Sequence, residues 1–225
     1  KSRTAHGAAQ RKLLEIHLVA AKRAGAGLPA DKRARFVEIA KQIADLENAF
    51  MSDLSNAGTT ITIAKEQADG LKPDLLASLK TDADGRLVVP VNESSFTQFL
   101  ANATSADARK AFYMAYYTRG GAKNVDLLEK AIALRDEQAK LLGYPNWAAY
   151  TLADRMAGTP ERVQNFLTAQ SAALLPLARE QRAKLAELKG APLDEWDRPF
   201  YSDIARKKQF NLDPEAVRQY FPAQH

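Results

Sequence analysis

The sequence predicts an all-α chain, mainly of antiparallel helices, with one small two-stranded β-hairpin. Three observations carry this. Apolar residues recur at three- and four-residue steps through most of the 225 positions, the spacing that lines one face of a helix. Capping residues and stopping glycines bracket those stretches. Only two short segments alternate β-branched residues instead.

In order, Arg11–Ala24 carries Leu13, Leu14, Ile16, Leu18 and Val19 and is broken by Gly25 and Gly27. Ala30–Asn56 is the longest periodic stretch, with Phe36, Ile39, Ile43, Leu46, Phe50 and Leu54 on one seam that can face a partner helix. The short Gly25–Pro29 link makes these two helices an αα-hairpin over 1–56. Thr59–Ile63 and Arg86–Val91 read as two strands that pair with each other, with a helical segment Lys72–Leu79 between them and an Asp84-Gly85 turn before the second. Pro90 marks that second strand as an edge, because proline cannot donate to a ladder. This gives a β-hairpin insertion over 57–92, followed by a helical bundle over 93–225.

Within the bundle, Ser105 caps a helix with Asp107 in its first turn and Arg119 in its last, and Gly120-Gly121 stop it. Asn124 then reads as an N-cap for a helix whose Val125, Leu128, Ile132, Ala139 and Leu142 share a face, ended by Gly143. Asn146 caps the next, bulky with Trp147, Tyr150, Leu152 and Met156, and Gly158 closes it. Thr159-Pro160-Glu161 is a cap, an N1 proline and a first-turn acid. That helix runs to about Lys189, with Pro176 producing a kink rather than a stop. Asp197 caps another to about Lys207, and Asp213-Pro214-Glu215 repeats the start signal. The expected organisation is a single helical domain or fragment over 1–225.

Hydrophobic residues make up 46% of the chain, and no apolar run approaches the roughly 20 residues that span a bilayer. No membrane partner is expected. The net charge is +5, but acids separate most of the basic residues. Arg206-Lys207-Lys208 sits where cations offset a helix dipole. A nucleic-acid footprint should be clustered, so no nucleic-acid partner is expected, and a basic binder would instead show affinity that falls steeply with salt. Zero cysteines rule out disulfides and cysteine-ligated zinc and suit the cytoplasm, with the periplasm as the alternative. A monomer is expected.

The three histidines are His6, His17 and His225, with no His-Glu-x-x-His among them. His6 and His17 lie roughly 16 Å apart along a helix, too far to share one zinc. There is no Gly-x-Ser-x-Gly elbow, and the glycine pairs are helix ends rather than phosphate loops. Phe112 and Tyr116 lie one turn apart, as do Tyr113 and Tyr117, so two aromatic stripes adjoin on one helix. They can line a peptide channel, but core and interhelical packing is the favoured reading. Arg135 and Arg155 lie among apolar residues and are expected to pair with Asp136, Glu137 or Asp154. No catalytic, cofactor-binding or metal-binding residue is expected within the chain.

Several motifs occur together and in order: Gly27-Leu28-Pro29, Arg119 before Asn124, Leu134-Arg135, Ala139-x-Leu141-Leu142-Gly143-Tyr144, Met156-Ala157 before Thr159-Pro160, Trp196-Asp197, Tyr201, and Asp213 to Tyr220-Phe221-Pro222. Together they resemble the thimet oligopeptidase family of zinc metallopeptidases, including its oligopeptidase A and dipeptidyl carboxypeptidase branches. The resemblance implies a parent enzyme that hydrolyses short peptides with one zinc, held by two histidines and a glutamate beyond Tyr220-Phe221-Pro222. It implies that this chain is the helical wall of a substrate channel, lacks the downstream zinc domain, and is inactive and zinc-free alone. The competing reading is a helical interaction or scaffold module without catalysis.

Overall fold

The computed structural model describes residues 7–210 and Tyr220. In chain order the elements are α1 (Ala8–Arg23), α2 (Ala30–Asn56), β1 (Thr60–Ile63), a 3-10 turn (Lys65–Ala68), α3 (Pro73–Ser78), β2 (Lys80–Thr81), β3 (Leu87–Pro90), α4 (Glu93–Asn102), α5 (Ala106–Tyr117), α6 (Gly121–Leu141), α7 (Trp147–Leu152), α8 (Pro160–Lys189) and α9 (Arg198–Phe210). The mainly helical class is as expected. The Asp213-Pro214-Glu215 start signal and Phe221-Pro222 lie outside the described residues. Contacts divide the chain into two compact units, Lys1–Leu54 with Gly120–Thr168, and Ser55–Arg119 with Ala169–His225.

In the first unit, the seam read from α2 buries Phe36, Ile39 and Ile43. Its partner is α6, laid antiparallel. Arg35 pairs with Glu137, Glu47 with Arg135, and Asp53 with Lys123, so positions rise along one helix as they fall along the other. The start of α6 corrects the expectation for Asn124. Gly120, at φ 81°, is the N-cap, so Asn124 lies one turn inside, buried, with its Nδ2 donating to the Phe50 carbonyl at 3.3 Å. A Cβ at Gly120 would stand 2.3 Å from that nitrogen, and the close approach needs glycine there. The expected apolar face is corrected in part. Ala139 is buried as read, but Val125, Leu128 and Ile132 are exposed, and Asn124, Ala131 and Gln138 are buried instead. The helix turns its small and amide residues inward, which lets it lie close to the large side chains of α2.

Gly143 does end the helical run, in a left-handed conformation. Its N–H donates to Lys140 O and that of Tyr144 to Ala139 O, which satisfies carbonyls the helix leaves free. Asn146 caps α7 as read, its Oδ1 accepting from Ala149 N at 2.9 Å. Arg23 of α1 reaches this region: its guanidinium lies 4.2 Å from the Tyr150 ring centre, donates to Tyr150 O and pairs with Asp154.

The second unit contains a three-stranded antiparallel sheet, not a two-stranded hairpin, in the order β1-β3-β2. The expected pairing of β1 with β3 is present, with Ile61 opposite Val89 and Ile63 opposite Leu87. The added strand β2 pairs Lys80 with Val88 and Thr81 with Leu87. This makes β3 central, contrary to the edge position read from Pro90. The ladder explains why the proline is tolerated. Val91 N–H donates to Thr59 O, so the alternation of an antiparallel pair turns the Pro90 nitrogen away from β1. On that other side β2 has already ended, and no donor is required.

One face of the sheet presents Ile63, Val89 and Val91 to Leu71, Leu75, Phe99, Leu100, Ala103, Ala108 and Phe112, which form the core with α4 and α5. Asn92 and Ser95 cap α4 reciprocally. Ser105 Oγ accepts from Ala108 N to cap α5, which ends at Tyr117, two residues earlier than Arg119 implied. Helix α8 continues through Pro176 to Lys189, so the proline does not stop it.

Candidate functional site

The aromatic stripes of α5 are the first place to look for a site, and the second unit separates them. Phe112 is fully buried and stacks on Phe99 with ring centres 4.7 Å apart. Tyr116, on the same stripe, packs 4.2 Å from Phe96. Its hydroxyl donates to Glu93 Oε2, and that bond, followed by burial, raises the phenol's pKa. Arg119 stacks over the Tyr116 ring at 3.8 Å while its Nε donates to Tyr116 O. This stripe is packing, as favoured.

The other stripe is divided, with Tyr113 packed against the core and Tyr117 exposed. Tyr113 and Tyr117 lie 4.5 Å apart, and Tyr113 meets Trp196 edge-on at 6.2 Å. Lys110 sits 5.2 Å from the Trp196 ring. Tyr117 is 62% exposed although three aromatic rings surround it, so its own face is held in place and open. Burial raises the Tyr113 hydroxyl above the ordinary phenol range. Such a platform can stack on a peptide side chain. It contains no nucleophile paired with a base. Trp196 joins from far along the chain, a proximity that spacing on α5 could not show.

The fully buried charges of this unit were not singled out from sequence. Asp197 was read as a cap, and it does precede α9, but its carboxylate serves other partners. Oδ1 accepts from Arg109 Nε at 3.1 Å and Nη2 at 2.5 Å, and Oδ2 accepts from Lys189 Nζ at 2.6 Å. Arg109 Nη1 donates to Ala103 O and Thr104 O, and its guanidinium lies 4.3 Å from the Phe200 ring centre. Every guanidinium nitrogen is thus engaged. Burial pushes the Asp197 carboxyl up, but the bonds from Lys189 and Arg109 outweigh it and hold the group below the usual carboxylate range. Lys189 is raised by its bond to Asp197. A saturated cluster of this kind ties elements together and leaves no polar atom for a substrate. A signal existed in the sequence: Arg109 stands three residues before Phe112, on the same inward face.

In the first unit, Arg135 pairs with Glu47 at 2.6 Å rather than with Asp136 or Glu137, and its guanidinium lies 5.7 Å from the Trp147 ring. Glu137 belongs to Arg35, through bonds of 2.7 and 2.8 Å that lower the glutamate's pKa and raise the arginine's. Arg155 reaches Asp154 only at 3.9 Å.

His17 lies on α1 and is exposed, while His6 and His225 fall outside the described residues. Among the described residues no three of His, Cys, Asp or Glu converge as a metal would require, so these residues do not fit a zinc site. No helix among them is long and apolar enough to cross a membrane.

Comparison with known proteins decides the family. Residues 99–225 match Peptidase family M3. The chain belongs to that family, the thimet oligopeptidase family to which the motifs pointed. It is similar to Oligopeptidase A of Salmonella typhimurium, 30% identical over 234 residues that cover 95% of this chain and 34% of the relative. Mitochondrial intermediate peptidase of Malassezia globosa is 35% identical over 81% of this chain and 24% of its own length. Saccharolysin of Saccharomyces cerevisiae is 29% identical over 88% and 30% respectively. The chain therefore spans about a third or less of the length of these M3 relatives.

Proposed function

We propose that this chain is the helical, non-catalytic region of a longer M3 peptidase that hydrolyses short peptides. The observation that carries the reading is the family match over 99–225 in a chain spanning 34% of Oligopeptidase A. Zinc and its ligands, as the family resemblance implies them, belong to the parent beyond these residues. The role of this region is then steric. It forms one wall of the channel that admits unstructured peptides and excludes folded proteins, and the exposed ring of Tyr117, held beside Tyr113, supplies a surface on which such peptides stack. The parent is proposed to act as a cytoplasmic monomer.

The test uses the full-length gene product. It should cleave a quenched fluorescent peptide of about ten residues, leave a folded protein intact, and lose the activity to a chelator. The 225-residue chain by itself should show neither turnover nor stoichiometric zinc by mass spectrometry. Chelator-sensitive turnover by the 225-residue chain would overturn its non-catalytic assignment, and inactivity of the metal-loaded parent would overturn the peptidase reading.

A further inference from the structure

The first unit has a second apolar face that its own residues leave uncovered. On α6, Asn124, Ala131 and Gln138 recur every seventh residue against α2 and are buried. Val125, Leu128 and Ile132 form another row, roughly a quarter-turn away at 3.6 residues per turn. They are 54%, 46% and 55% exposed. Between this row and α2 lies a groove of about 350 Å³, lined by Leu46, Phe50, Met51, Leu127, Leu128 and Ala131, with the Glu47–Arg135 pair also in its wall.

A polar observation sets this groove apart from ordinary apolar surface. Arg135 Nε is shielded from solvent and has no acceptor. Near the other end, where Asn124 meets Phe50 and Lys123 meets Asp53, Asn124 Oδ1 and Asp53 Oδ2 are shielded acceptors without a donor. Buried polar atoms in folded proteins are nearly always hydrogen-bonded. The two acceptors lie in the α2–α6 seam and not in the groove lining, but the unpaired Arg135 N–H in an otherwise apolar wall suits a polypeptide, which brings carbonyls alongside apolar side chains.

We propose that this α2/α6 groove, with the Val125–Leu128–Ile132 row, is the docking surface for the remainder of the longer M3 chain. The inference rests on the reading above that such a remainder exists. The M3 relatives argue for this occupant, because about two thirds of Oligopeptidase A lies outside the matched region. Larger chains bury a greater fraction of their surface, so the added polypeptide has to pack on faces such as this one. Helix α1 agrees: it has no buried residue, and its Leu13, Leu14, Ile16 and Leu18 are all about half exposed.

The absence of cysteine from these residues makes the surface testable by thiol labelling in the full-length gene product. Leu128→Cys and Ile132→Cys probe the row, and Asp126→Cys, on another exposed side of α6, is the control. Labelling at each introduced thiol is read by peptide mass spectrometry and scaled to the urea-unfolded protein. The two row positions should react at least ~100-fold more slowly than the control, since a covered site reacts only through local opening. Equal rates overturn the proposal, provided circular dichroism shows the variants folded. Protection that vanishes on dilution to nanomolar concentration would assign the face to a second copy, and also overturns it. Peptide turnover is measured on the same samples, so a failure of docking is told apart from a failure of the peptidase reading.

Discussion

In the second unit, Phe99 and Phe112 stack inside a core that runs continuously from the sheet to α4 and α5, and Arg109 is engaged at every guanidinium nitrogen. In the first, α2 and α6 meet along a narrow seam whose α6 side is small and partly polar, and the charges that align them sit at its solvent edge. The second unit closes a core around its sheet, α4 and α5, although Leu174, Leu175 and Leu177 on its part of α8 are exposed. The other shows apolar rows and unpaired polar atoms. The difference shows that one stretch of sequence can hold a continuous core in one unit and, in the other, helices that leave apolar rows uncovered. The same kind of substitution should therefore cost different amounts in the two units. Trp196 reports on the second unit and Trp147 on the first, so single Trp→Phe backgrounds separate the signals.

The largest effect is expected at Asp197. Asp197→Ala leaves Arg109 buried without its counter-charge, and removing one partner of a buried pair costs about 3–5 kcal/mol. Urea unfolding followed at Trp196 in a Trp147→Phe background should show that loss. A loss under ~1 kcal/mol, the range of surface pairs, would break the distinction between the units.

The same cluster predicts a pH window. Asp197 has a lowered pKa in the fold, so its contribution is present above the unfolded value near 3.8 and is lost as pH falls through the lower folded value. Lys189 has a raised one, so its contribution is full below about 10.5 and is lost as pH rises through the folded value. Stability of the second unit should fall at both extremes. Lys189→Met should remove the alkaline limb, and an unchanged limb would show that the pair does not set it.

How much of this was legible follows from range. The bounds of α2 were read from periodicity and the Gly25–Pro29 break before it, because both are local. The Asp84-Gly85 turn was legible for the same reason: Gly85 is left-handed and Asp82 Oδ1 accepts from Asp84 N and Arg86 N. β2 was not legible, since two residues cannot display alternation. The burial of Asn124 was missed because asparagine before an apolar run usually means a cap, and here a glycine one turn earlier took that role. For the candidate site, spacing showed the two stripes of α5 but not that Tyr117 alone of the four rings would be exposed, since Phe96, Phe99 and Trp196 from other elements pack on the rest. The partner of Arg135 lay 88 residues away, beyond any local rule.

Smaller effects come from two left-handed glycines that differ in surroundings. Gly70 and Gly143 have φ of 81° and 84°. A Cβ on Gly70 would stand 2.3 Å from the Asn102 carbonyl, whereas one on Gly143 meets nothing within 4 Å. Gly143→Ala then carries only conformational strain, about 1–2 kcal/mol. Gly70→Ala adds a backbone clash in the closed unit and should exceed it. Equal losses on urea unfolding would mean that the second unit yields as readily as the first.

The smallest effect is expected where the first unit looks most strongly tied, at Arg35 and Glu137. The two bonds are short and form a fork, the geometry that best matches a guanidinium to a carboxylate. Yet both side chains are well exposed, at 38% and 42%, so water and salt screen the attraction. Arg35 also keeps Glu38 as a second partner at 3.0 Å, which takes over part of the interaction when Glu137 is lost. Glu137→Gln should therefore lower the melting temperature of the first unit only slightly, read at Trp147 in a Trp196→Phe background. The shift should shrink further in about 1 M salt, where the Debye length falls to about 3 Å. A large, salt-insensitive loss would mean that this fork, rather than the thin seam beside it, holds α2 and α6 together.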